Sequence, residues 1–365
     1  MNNIQSLQTL GQSIWLDFIS RSLLASGELK NFIDRGVTGV TSNPSIFQKS
    51  ICETPDYDEA ISLLLKAQPQ IDVNTLYEKI AVEDIQSAAD RLRPVYDSRG
   101  GTDGFVSLEV SPTLARLTES TVSEARRLWK LVNRPNLLIK VPATDEGIPA
   151  VEALIAEGIN VNATLIFSLA QYETVAYAYI RGLGSNPAPR AVASVASFFV
   201  SRIDTAIDKL LDLNGTPAAA HLKGRIAVAC AKTVYKRFQQ IFYATPFEQQ
   251  RQRGAAVQKI VWGSTGTKNP GYSDVLYVNE IIGPDTINTV PMATLEAFLD
   301  HGQVSQSLLA GVEAAEQVLA DLPGYNISLT AVTDQLLKEG VQAFVQAYDL
   351  MLDSLRGRCH LDVTG

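Results

Sequence analysis

Cysteine is scarce in this 365-residue chain: Cys52, Cys230 and Cys359 are the only three. None sits in a C-x-x-C pair, so neither a disulfide framework nor a thiolate metal site is expected, and the thiols read as reduced. Histidine is equally rare. His221, His301 and His360 are scattered through helix-like or tail segments without paired ligand spacing, so no metal is expected and none of the three is expected to be catalytic. No stretch approaches the roughly 18 apolar residues of a membrane span. The opening MNNIQSLQTLGQSIW also lacks a basic region followed by an apolar one, so a soluble, cytoplasmic protein is the expectation. Positive charge is in deficit, with a formal net charge of −8. Nucleic acid and anionic membrane both need a cationic face and are therefore excluded as general partners. An anionic ligand would have to be held by a few local cations. Nothing resembles a Gly/Ser/Pro-rich linker, a charge block or a repeat of 20–50 residues. One domain over 1–365 is expected.

What the chain does have is alternation. Short apolar, β-rich runs are separated by longer segments whose apolar residues recur at three and four, the pattern of βα units feeding one parallel sheet. The runs are IWLDF (14–18), GVTGVTS (36–42), GFVSLEV (104–110), NLLIKV (136–141), INVNATLIFS (159–168), AVASVASFFV (191–200), KIVWGST (259–265) and INTVPM (287–292). Eight such units close a barrel, so the predicted fold is a single (β/α)8 TIM barrel, with a doubly wound open sheet as the competing arrangement. Segments 72–97 and 111–132 read as covering helices. The spacer 201–257 and the tail 293–356 are longer than one helix needs and read as additional helices on the barrel.

In such a barrel the reacting groups come from the C-terminal ends of the strands. Polar residues that end otherwise apolar runs are Asp17, Asn43, Glu109, Lys140, Asn162, Thr164, Ser197 and the Thr265–Lys268 stretch. Lys140 is the most informative, an ammonium set among Leu137, Leu138, Ile139 and Val141. Desolvation disfavours its charged form and favours the free amine that attacks a ketone. The competing reading is an inward lysine paired with a carboxylate. Asp17 and Glu109 suit proton transfer to a substrate hydroxyl and to water, and each taken alone reads equally as a loop carboxylate or a helix N-cap. Arg202 and Lys268 are the cations expected around a phosphate, with Ser197 as a further donor. On spacing alone Arg202 also fits a surface pairing with Asp204 or Asp208.

Taken together, TSNPSIF, SLEVSP, LIKVPAT, GINVNATLIFS and the S-x-F-x-x-R arrangement in ASFFVSR resemble the transaldolase family, in order through nearly the whole chain. The resemblance implies a class I aldolase-like barrel with no cofactor. It also implies transfer of a dihydroxyacetone unit between sugar phosphates, from sedoheptulose 7-phosphate to glyceraldehyde 3-phosphate, giving erythrose 4-phosphate and fructose 6-phosphate. By the same resemblance Lys140 is the Schiff-base lysine and Asp17 the aldol acid/base, while Glu109 and Thr164 hold a catalytic water. Asn43 and Asn162 bind the dihydroxyacetone hydroxyls, and Ser197, Phe199 and Arg202 form the substrate and phosphate end. The loop after the seventh run departs from the family: classical members offer an arginine there, and this chain reads WGSTGTKNP, with Lys268 as stand-in. That loop resembles a longer branch of the family. A hydrolysing fructose 6-phosphate aldolase and a non-catalytic sugar-phosphate-binding barrel are the alternative functions. Monomer and homodimer are both compatible with the sequence.

Overall fold

The structure, a computed structural model, describes residues 1–361, with side chains through 358; Cys359 and His360 fall outside the described side chains. Each of the eight runs overlaps one strand, with β1 and β8 starting before their runs and β4 ending one residue past its own: β1 Gln12–Leu16, β2 Val37–Thr41, β3 Val106–Glu109, β4 Leu137–Pro142, β5 Val161–Ile166, β6 Ser194–Phe199, β7 Lys259–Gly263 and β8 Thr286–Val290. They pair in parallel in chain order, and β8 closes on β1 through Gln12 opposite Thr286 and Leu16 opposite Val290. The sheet is therefore a closed barrel, which excludes the open doubly wound arrangement.

The expected boundaries are corrected where the backbone loses donors or gains caps. β8 stops at Val290 because Pro291 has no N–H to donate, and the helix Met292–His301 begins at once. β1 ends at Leu16, leaving Asp17 just beyond it with its amide still bonded to Val290 O at 2.8 Å. The expected helix 111–132 divides into a proline-opened 3-10 turn, Pro112–Leu114, and a helix, Thr118–Val132. The expected helix 72–97 spans Val73–Ser98, where Asp72 caps the first turn by accepting from Asn74 N and Thr75 N at 3.1 Å each. The long spacer holds the helices Ser201–Asn214, Pro217–Ala220, Ile226–Phe242 and Thr245–Gln252. After β8 come Met292–His301, Val312–Asp321 and a terminal helix, Leu329–Leu361. Among the described residues no helix is long and apolar enough to cross a membrane.

Strand side chains alternate in and out, so residues two apart share the barrel interior. Trp15, Phe105, Leu138, Val195, Val261 and Ile287 form one buried cluster that plugs the lower interior. Trp15 fits only because β2 offers Gly39 opposite it, since a Cβ there would lie 2.6 Å from the indole ring. Asp103 accepts from Trp15 Nε1 at 2.8 Å and from Ser13 Oγ at 2.5 Å, so the indole donor is satisfied under the plug.

Candidate active site

One pleat above the plug the interior turns polar. Asp17, Lys140, Ser197, Gly263 and Thr289 follow Trp15, Leu138, Val195, Val261 and Ile287 by two residues, and all five line one cavity of about 230 Å³ at the C-terminal mouth. Thr41, Asn43, Phe199, Arg202, Lys268 and Phe344 also line it.

Lys140 stands at the floor, 3 % exposed. Its Nζ donates to Ser42 O at 3.2 Å and lies 3.5 Å from Glu109 Oε2, with the phenyl ring of Phe344 centred 5.9 Å away. Register explains the grouping, since β3 sets Glu109 opposite Lys140 and β5 sets Asn162 opposite Lys140. The pairing of Lys140 with a carboxylate is therefore real, but Glu109 is an incomplete partner. Neither of its carboxylate oxygens makes a hydrogen bond, and the Thr164 hydroxyl on β5 is also buried without one. Burial pushes the Glu109 carboxyl up to about 7 against the opposing pull of Lys140. At neutral pH such a group both gives and takes protons.

Asp17 lines the cavity together with Lys140. Its Oδ1 accepts from Thr41 Oγ1 at 2.7 Å, and Thr41 Oγ1 lies 2.6 Å from Thr289 Oγ1. Burial raises the Asp17 carboxyl above the ordinary aspartate value, while the Lys140 cation, the Thr41 bond and the more distant Arg202 and Lys268 oppose it. The N-cap reading considered for Asp17 and Glu109 belongs instead to Asn43, whose Oδ1 accepts from Ile46 N at 3.0 Å to open the helix Pro44–Cys52. That leaves the Asn43 amide NH2 as the part able to face a ligand.

Asn162 is fixed at both ends of its amide, Nδ2 donating to Ser107 Oγ at 3.1 Å and Oδ1 accepting from Ser197 Oγ at 2.7 Å. In β5 the register shifts between Ala163 and Ile166, and Leu165 adopts a left-handed φ of 60°. A leucine there is strained, and such a bulge beside Thr164 is a device for re-aiming side chains at a site.

The mouth is cationic. Arg202 stacks over Phe199, its guanidinium 5.3 Å from the ring centre. It does not pair with Asp204 or Asp208, which accept from Tyr277 OH at 2.9 Å and Tyr272 OH at 2.6 Å. Burial holds the Arg202 guanidinium below its usual value, with Asp17 and Glu339 opposing. Of the Thr265–Lys268 stretch, Gly266 and Lys268 line the cavity, whereas Thr265 is turned away and donates to Asn288 Oδ1 at 2.7 Å. Ser264, with a left-handed φ of 52°, also lines it.

Lys49, Thr41, Thr289 and Phe344 are cavity residues that the strand-end rule misses. Thr41 and Thr289 follow from the two-residue alternation above Gly39 and Ile287, a signal present in the sequence. Glu109, Asn162 and Thr164 sit behind the Lys140 side of the floor and do not line this cavity, although Glu109 lines a second one of about 310 Å³ that it shares with Asn43, Tyr77 and Tyr348. Among the described residues no cluster of three or more potential metal ligands occurs, and His301 bonds Asp274 and Asp300 on the surface.

A buried amine flanked by two carboxylates of raised pKa, under a mouth of three cations, can form an imine with the ketone of an anionic sugar. Comparison with known proteins identifies the family. The family described as transaldolase/fructose-6-phosphate aldolase matches residues 14–355. Similar proteins include the transaldolase of Thiobacillus denitrificans, 46% identical over 96% of this chain and 99% of that protein. Transaldolase 2 of Nostoc sp. strain PCC 7120 is 43% identical over 99% of this chain and 98% of its own length. The transaldolase of Thermobifida fusca is 46% identical over 96% of each chain.

Proposed function

This chain belongs to the transaldolase/fructose-6-phosphate aldolase family, and on that premise we propose that it works as a transaldolase carrying a dihydroxyacetone unit on Lys140. The observation that supports this most strongly is the buried Lys140 amine 3.5 Å from an otherwise unbonded Glu109 carboxylate, at the floor of a cavity that Asp17 also lines. The donor is sedoheptulose 7-phosphate or fructose 6-phosphate. Arg202 and Lys268 hold its phosphate, the former as a planar fork and the latter as a point charge. The Asn43 amide and the second Nδ2 hydrogen of Asn162 donate to the dihydroxyacetone hydroxyls, and Ser197 Oγ, whose own hydrogen goes to Asn162 Oδ1, accepts from them, with Phe199 as the apolar wall.

Lys140 Nζ adds to the C2 carbonyl, and Glu109 with Thr164 positions the water that moves protons while the carbinolamine loses water. The protonated imine then draws electrons from the C3–C4 bond. Asp17 takes the proton from the C4 hydroxyl, the bond breaks, the aldose phosphate leaves and an enamine of dihydroxyacetone stays on the lysine. Positioned acid/base catalysis of this kind is typically worth about 10²–10⁴-fold. An acceptor aldose phosphate reverses the sequence.

The test is borohydride reduction after incubation with fructose 6-phosphate, followed by peptide mass spectrometry. A dihydroxyacetone-sized adduct on Lys140, diminished when erythrose 4-phosphate is present, is expected; absence of any adduct on Lys140 overturns the assignment. In Asp17→Asn, cleavage slows more than imine formation, so the trapped adduct shifts to the mass of the whole donor. Loss of all trapping in a folded Asp17→Asn protein would place Asp17 at an earlier step.

A further inference from the structure

The terminal helix, Leu329–Leu361, does not only cover the barrel. Gly340, Phe344 and Tyr348 recur at intervals of four and so share one face of it. That face lies over the mouth. A Cβ on Gly340 would sit 3.1 Å from Leu165 Cδ2 and 3.6 Å from Arg202 Nη1, so the helix backbone rests against the phosphate arginine. One turn on, Phe344 is 2 % exposed, lines the cavity beside Asp17, and centres its ring 5.9 Å from Lys140 Nζ. A further turn on, Tyr348 packs edge-on to Tyr77 at 5.6 Å and closes the adjoining cavity that Glu109 lines.

A phenyl ring gives and takes no proton, so Phe344 has no part in making or breaking the C3–C4 bond. It presents an apolar face above a nitrogen that becomes a cation in the imine, an arrangement that favours the cation and bars water from the side the ring covers. Water decides the fate of the intermediate. If the enamine carbon takes a proton, water adds at C2 of the resulting imine, the C–N bond breaks and the amine regains its proton, releasing free dihydroxyacetone. This hydrolysis returns the one water lost in imine formation. If an aldehyde adds first, the fragment is transferred.

We propose that Phe344 is a specificity-determining residue of this enzyme: its ring roofs the Lys140 intermediate and sets the ratio of transfer to hydrolysis. The inference rests on the imine at Lys140 proposed above. It is tested with fructose 6-phosphate as donor and erythrose 4-phosphate as acceptor, measuring free dihydroxyacetone and sedoheptulose 7-phosphate in the same reaction. Both products come from the same folded molecules, so partial unfolding of a variant cancels in the ratio. Phe344→Ala is expected to raise free dihydroxyacetone per sedoheptulose 7-phosphate by about tenfold or more. Phe344→Leu, which keeps an apolar cover without the ring, is expected to shift it much less. Should Phe344→Ala not fold, Phe344→Gln keeps most of the volume, brings a group that binds water, and carries the same expectation. A ratio unchanged from wild type, with the borohydride adduct still on Lys140, overturns the role of Phe344. Absence of that adduct in the wild type overturns the imine reading instead.

Discussion

Trp15 and Asp17, Leu138 and Lys140, Val195 and Ser197, Ile287 and Thr289 are each two residues apart along four strands, Asp17 just past the end of its own, yet each lower residue is packed and each upper residue lines the cavity. In the lower layer the indole N–H of Trp15 has its acceptor in Asp103. Complete burial of each large apolar side chain contributes about 1.5–3 kcal/mol. In the upper layer Glu109 and Thr164 hold buried oxygens with no hydrogen-bond partner, and the Glu109 carboxyl is driven up to about 7. The difference teaches that one backbone period serves both ends: the plug supplies stability, and the layer above it carries groups whose environments oppose their charge.

The largest break in that comparison comes from substituting both members of one pair on β4. Lys140→Met keeps the buried stem and removes the amine, so it is expected to abolish transfer while leaving a cooperative thermal transition. Leu138→Ala, two residues earlier, is expected to lose about 2–5 kcal/mol of stability, with turnover per folded molecule little changed. Denaturant unfolding and a coupled transfer assay on the two proteins decide it. An unfolded Lys140→Met, or a Leu138→Ala protein that is stable but inactive, would mean that the layers are not separable.

A smaller effect should appear in the dependence of stability on pH. Glu109 ionises at about 7 when folded, against an ordinary value of 4.5. Between those values the folded chain binds a proton that the unfolded chain has released, so this group's contribution is fully present below 4.5 and is lost as pH rises through 7. At about 1.4 kcal/mol per unit, up to roughly 3 kcal/mol is involved. Glu109→Gln removes that proton, so the stability difference, wild type minus variant, is expected to fall between pH 5 and 8. A constant difference across that range would show that Glu109 is not held near neutrality.

The eight strands are legible in the sequence because parallel strands buried on both faces read as short apolar runs, and Lys140, Asp17, Arg202 and Lys268 are legible as charge interrupting or ending such runs. Strand ends are less so, because Pro291 and Asp17 act through donors and caps that hydropathy does not register. Phe344 is not legible at all. An apolar residue at a helical spacing of four looks the same whether it packs into a core or over a lysine 204 positions earlier, and only the closed barrel decides between them. The tyrosines behind the WGSTGTKNP loop are missed for the same reason.

Those tyrosines carry the smallest expected effect, and they extend the contrast between packed and working residues to the mouth. Tyr272 OH donates to Asp208 Oδ2 at 2.6 Å and Tyr277 OH to Asp204 Oδ2 at 2.9 Å, so the loop bearing Lys268 is tied to the helix Ser201–Asn214 that bears Arg202. Gly224 lets the Tyr272 ring approach, since a Cβ there would lie 2.9 Å from Cζ. The loop is also braced internally, by Thr267 Oγ1 donating to Ser273 O at 2.8 Å and Tyr272 N donating to Asn269 O at 3.1 Å. Removing one hydroxyl should therefore loosen the spacing of the two phosphate cations without melting the loop. Tyr272→Phe is expected to raise KM for fructose 6-phosphate several-fold, a part of the about 1.5–3 kcal/mol that a hydrogen bond to a charged group contributes, with kcat nearly unchanged. Unphosphorylated fructose, which makes no use of that spacing, should be processed by variant and wild type alike. An equal loss with both donors would mean that the Tyr272–Asp208 bond supports the barrel rather than the phosphate end.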